Sequence, residues 1–141
     1  MSGWRSKEAL GAGARVAALV GGLSGLPALG SPLLRCEVEQ AGNRYTVDAT
    51  PVADPYGVVA TPVGKRFRLK AVMLADEAGR PAYVKLATYY GLDDAFTLLH
   101  QVSFTAPPMG GAQPFTGEQW VYAPGLGRDL HYHCTLREVQ P

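Results

Sequence analysis

Apolar and polar residues alternate along most of this chain with a period of two, the spacing that sends successive side chains of an extended strand to opposite faces. In LLRCEVE, Leu34, Cys36 and Val38 fall on one face and Arg35, Glu37 and Glu39 on the other. Ala41-Gly42-Asn43 is a turn signal, so RYTVDA after it reads as the return strand of a hairpin. The alternation then lapses across Pro51, Pro55 and Pro62. Proline cannot donate to a sheet ladder, which makes this stretch an edge or crossing loop with room for a short strand at 57–60.

The strongest hairpin pattern covers residues 65–90. Phe67, Leu69, Ala71 and Met73 alternate with Arg66, Arg68 and Lys70; a glycine-containing turn follows at 76–80. On the return strand Ala82, Val84 and Leu86 are opposite in phase to Tyr83, Lys85 and Tyr89. FTLLHQVSF predicts another strand, with Phe96, Leu98, His100, Val102 and Phe104 on one face. Asp93-Asp94 ahead of it offers an alternative, a capped short helix over 95–100. Residues 105–117, TAPPMGGAQPFTG, are a loop by composition. EQWVYA and LHYHCTLREV close the chain as a hairpin around Pro124-Gly125-Leu126-Gly127. About seven strands with closely spaced turns predict an all-β fold, an antiparallel sandwich of immunoglobulin-like architecture; a small barrel is the alternative.

The N-terminus departs from this pattern. Arg5, Lys7 and Arg15 precede an uncharged apolar run at 16–29, and Pro27 stands before Ala28-Leu29-Gly30. Basic residues, a short apolar core and small residues in that order predict a signal peptide over 1–30, with Ser31 the first mature residue. The run is shorter than the ~20 residues that span a bilayer, so no membrane span is expected in the mature chain. The mature domain is then a single unit, 31–141.

Export gives the two cysteines, Cys36 and Cys134, a meaning: in an oxidising compartment, cysteines far apart in sequence pair. Both lie on the apolar phase of their strands, which predicts a buried disulfide between the first strand of the mature domain and the last.

Composition narrows the function classes. A net charge of +1 gives no electrostatic reason for a nucleic-acid partner. No serine-nucleophile motif, metalloprotease helix or phosphate-binding glycine loop occurs, and the cysteines lack the C-x-x-C spacing of thiol oxidoreductases. Neither an enzyme nor a cofactor is expected.

LHYHCTLREV carries the one pattern suggestive of metal. On a strand Leu130, Tyr132, Cys134 and Leu136 share the apolar face and His131, His133, Thr135 and Arg137 the polar one, so Cys134 cannot join the histidines at one ion. The pair His131 and His133 alone would need further ligands, for which Glu37 or Glu39 would serve if the first strand lies beside the last. His100, among apolar neighbours, is expected to be a neutral core histidine. Arg66, Arg68 and Lys70 form a basic face able to attract an acidic partner or polysaccharide, or serve simply as a solvated exterior. The long loop with Met109 and Phe115, together with Tyr89 and Tyr90 at a sheet end, is the candidate interaction surface.

The sequence therefore reads as an exported, periplasmic or secreted, non-catalytic binding or accessory module with a protein or carbohydrate partner. The alternative is a small copper- or zinc-handling protein using His131 and His133.

Overall fold

In the computed structural model the described residues are 30–105, 107, 115–125 and 127–140. The predicted signal segment up to residue 29 and the candidate contact Met109 lie outside them. Nine strands occur among the described residues: β1 Ser31–Gln40, β2 Asn43–Ala49, β3 Pro51–Val52, β4 Thr61–Val63, β5 Phe67–Ala75, β6 Pro81–Leu92, β7 Ala95–Thr105, β8 Gln119–Ala123 and β9 Arg128–Val139. Seven are full strands; β3 and β4 are short pieces flanking the Pro55 excursion, where the short strand at 57–60 was expected. No helix long and apolar enough to cross a membrane occurs among the described residues, and 95–100 is strand, not a capped helix.

The strands form two sheets. Sheet A has the order β2-β1-β9-β8, and sheet B runs β3-β5-β6-β7 with β4 also on β5. All pairings are antiparallel except that of β3 with β5. The sandwich predicted from the alternation is thus present. Its order is that of a meander, each long strand lying beside its sequence neighbour and β9 closing onto β1. That is the order of an up-and-down barrel interrupted between the sheets. The likeness to immunoglobulin domains extends to two packed sheets and not to their Greek-key connections.

The alternation becomes burial as expected. Leu34, Cys36 and Val38 of β1, Phe67, Leu69 and Met73 of β5, Val84 and Leu86 of β6, and Leu130, Tyr132, Cys134 and Leu136 of β9 form one core between the sheets. Tight turns need backbone conformations suited to the right-handed strand twist. Ala41-Gly42 and Asp93-Asp94 supply them, all four residues having positive φ. In the β5–β6 turn the Asp76 carboxylate accepts the backbone N–H and the side chain of Arg80 and the backbone N–H of Ala78, which together hold it below the ordinary aspartate range.

One phase expectation is corrected. Thr88 of β6 pairs with His100 of β7, and Tyr89 with Leu98, so Leu99 is an extra residue in β7. The bulge turns Leu99 toward the core and leaves Phe96 and Leu98 on the outside, 39% and 47% exposed. Only His100, Val102 and Phe104 keep the predicted inward face. Phe96 lies against Gly91, where an added Cβ would meet its ring at 2.7 Å, and Arg68 covers it at 3.7 Å from the ring centroid.

Three buried polar atoms lack a hydrogen-bond partner among the described residues: Thr88 Oγ1, His100 Nδ1 and Tyr132 Oη. They gather where β6, β7 and β9 face one another, with the His100 and Tyr132 rings 6.5 Å apart. Burial pushes the Tyr132 phenol up to about 12. The unfolded chain, with its ordinary value of 10, then releases this proton first, so stability falls as pH rises from 10 through about 12. Tyr132→Phe removes an unpartnered hydroxyl, so it is expected to be neutral or to stabilise by about 1 kcal/mol near neutral pH. It should also flatten the alkaline fall; urea titrations at neutral and alkaline pH check both outcomes.

Candidate functional site

The two outer faces differ in chemistry. On sheet A, β9 turns His131 and His133 outward while Cys134 points inward and bonds Cys36, with Cα atoms 4.0 Å apart and both residues fully buried. β1 does lie beside β9, and the register sets Glu37 opposite His133 and Glu39 opposite His131. Glu37 Oε2 is 3.3 Å from His133 Nε2. Glu118, just ahead of β8, contacts His131 Nε2 with one oxygen and lies 3.6 Å from His133 Nδ1 with the other. The exposed Trp120 stacks on His131 with centroids 4.2 Å apart and planes 15° from parallel.

These contacts form a chain in which Glu118 stands between the two imidazoles and each ring meets a different carboxylate oxygen. Among the described residues no three His, Cys, Asp or Glu side chains are disposed to hold one metal ion. The arrangement is one of cross-strand pairs on a half-exposed face, of the kind that stabilises a sheet by a few tenths of a kcal/mol to about 1 kcal/mol each. Next to it, Arg35 makes a bidentate pair with Asp48 at 2.8 and 2.7 Å, which lowers the Asp48 carboxyl from its ordinary value.

The candidate surface built on Met109, Phe115, Tyr89 and Tyr90 is divided by the structure. Phe115 is half-buried, packs on Phe104 with centroids 4.6 Å apart, and donates its backbone N–H to the Cys134 carbonyl. Thr116 accepts the Cys134 N–H through Oγ1, so this end of the loop is fastened to β9 beside the disulfide. Tyr90 is a core residue, 3% exposed and edge-on to Phe67. Adjacent residues on a strand point oppositely, so Tyr90 cannot join Tyr89 in one platform. Tyr89 alone is on the outside.

Tyr89 belongs to a groove on the outer face of sheet B. Along β6 the outward residues are Tyr83, Lys85, Ala87 and Tyr89, and the register places Lys70 and Gln101 on either side of Ala87 and Val72 beside Lys85. Ala87, short among long neighbours, makes the depression. Pro55 and Tyr56, from the excursion between β3 and β4, form its rim. The groove has a volume of about 190 Å³. Its floor residues Val72 and Ala87 point outward yet are only 4% and 3% exposed, so the longer side chains around them present most of the accessible surface.

The charge here is of one sign. Strands β5, β6 and β7 contain Arg68, Lys70 and Lys85 and no aspartate or glutamate. Arg68 is engaged with Phe96, and among the described residues no carboxylate lies within ion-pair distance of Lys70 or Lys85. Two ammonium groups, three phenols and one amide thus surround an apolar floor. The alternation in the sequence marks the basic face and Tyr89 separately; Tyr83, Lys85 and Gln101 share the polar phase of β6 and β7, but only the strand register brings them together.

Comparison with protein-family models, with curated proteins and with solved structures finds no match.

Proposed function

We propose that the mature domain is an exported, non-catalytic binding module, periplasmic or secreted, whose ligand surface is the outer groove of sheet B. The observation that carries this reading is the pair Lys70 and Lys85, set without carboxylate partners among the described residues over the floor of Val72 and Ala87. On the outer face of sheet A, by contrast, charges of both signs meet one another, as in Arg35 with Asp48, and Glu37 meets His133. In the groove an anion gains charge-assisted hydrogen bonds from the ammonium groups, and a flat apolar moiety finds the rings of Tyr83 and Tyr89. Export is supported by the order of charge and hydropathy ahead of Ser31 and by the Cys36–Cys134 bond, since such bonds persist in oxidising compartments. Binding is preferred to catalysis because the cluster of His131, His133, Glu37 and Glu118, which could move protons, lies on sheet A, on the other face of the molecule.

Titration calorimetry with small carboxylates such as galacturonate and benzoate, against their methyl esters, tests the reading. The acids should bind roughly tenfold or more tightly than the esters, the worth of a charge-assisted hydrogen bond. Lys70→Gln with Lys85→Gln should erase that difference while leaving the urea midpoint nearly unchanged, because both ammonium groups are on the surface. Equal binding of acids and esters, or discrimination that survives in the double variant, would count against the groove.

A further inference from the structure

We infer that the ligand of this groove is an acidic polysaccharide, carrying carboxylate or sulfate groups, laid along β6; this rests on the groove being the binding surface. The first observation is the shape of the track. Tyr83, Lys85, Ala87 and Tyr89 are successive outward residues of one strand, so the tyrosines stand about 20 Å apart at ~3.3 Å per residue. All four line the same groove. A tyrosine at each end with cations between them fits a linear ligand with flat faces and repeating negative charge. A sugar ring supplies the flat apolar face through its C–H groups and the acid through its substituent. Its hydroxyls match the phenols of Tyr56, Tyr83 and Tyr89 and the amide of Gln101.

The other polyanions fit less well. A peptide that binds by strand addition needs a free sheet edge, and this groove lies across the middle of sheet B, with β6 central and paired on both sides. It is one continuous depression lined from Tyr83 to Tyr89 and offers no separate pockets for large side chains. An anionic membrane calls for clusters of roughly four to eight basic residues, whereas β5, β6 and β7 carry three. Nucleic acid calls for a strongly basic domain, and the chain is +1 overall. Tyr56, 91% exposed at the rim, is placed to cover a bound sugar from above.

The test measures retention of the disulfide-bonded mature protein by polygalacturonate, dextran sulfate and neutral dextran, with polyglutamate and phosphatidylglycerol vesicles alongside, and compares each with galacturonate monomer. Polygalacturonate or dextran sulfate should bind roughly five- to tenfold more tightly than the monomer, the scale of one added aromatic contact. Which of the two binds better separates a uronic from a sulfated ligand. Tyr83→Ala should abolish the gain of polymer over monomer, and Lys70→Gln with Lys85→Gln should abolish acid-polymer binding; neutral dextran should not bind. Monomer binding without a polymer gain would overturn the polysaccharide and leave the groove standing. Binding to polyglutamate or vesicles alone would overturn it in favour of that partner. If neither monomer nor polymer binds, the groove itself falls with it.

Discussion

Replacing Cys36 and Cys134 together by alanine should lower the stability of the sandwich by about 2–5 kcal/mol, the range for removing a native disulfide from a small disulfide-bonded domain. The bond joins residues 98 apart in sequence, so it removes nearly the largest loop entropy this chain offers; for ~100 residues the chain-entropy model gives up to ~4.7 kcal/mol. It also sits within the β1–β9 ladder, the pairing that brings the two ends of the described chain together. Both sulfur-bearing residues are fully buried, so small voids left by alanine add to the loss. Alanine is the better choice, since serine would bury two hydroxyls in an apolar core. The check is a urea titration of both forms. The midpoint should fall sharply, and the wild-type bond should resist reductant until the domain opens. A loss under about 1 kcal/mol would mean that the β1–β9 ladder holds without its cross-link.

The second large effect is expected at Leu86. It is fully buried between the sheets, one residue from Lys85, which points out. Leu86→Ala should destabilise by about 2–5 kcal/mol through lost burial and the cavity left behind. Lys85→Ala, next to it, should change stability by no more than about 0.5 kcal/mol. The contrast between neighbours is the signature of a strand with one buried face. A shift of the β6 register by one residue would reverse it.

Such phase arguments explain what could be read in advance. Burial of one face leaves a period of two in the sequence, so β1, β5, β6 and β9 were legible, and with them the disulfide and the outward direction of His131 and His133. The meeting of Glu37 with His133 required β1 beside β9, which the cysteines implied. What escaped detection depends on residues distant in sequence. The bulge at Leu99 is one extra residue whose place is set by the fit of β7 against β6, and no local pattern marks it; hence Phe96 and Leu98 were assigned to the wrong face. Tyr89 and Tyr90 are adjacent in sequence, but strand geometry sends them to opposite faces, Tyr90 into the core and Tyr89 outward. The groove exists because Lys70, Ala87 and Gln101 align across three strands and because the Pro55 excursion returns over them. Arg66 shares the phase of the basic face, yet its guanidinium donates to the Gly91 carbonyl and helps fasten the end of β6.

The proposed ligand surface is tested most directly by mapping backbone amide shifts of the protein during titration with galacturonate. The shifts should cluster at Lys70, Val72, Tyr83, Lys85, Ala87, Tyr89 and Gln101, and vanish in the Lys70→Gln, Lys85→Gln variant. Shifts centred instead on Trp120, His131 and His133 would contradict the account and move the ligand surface to sheet A.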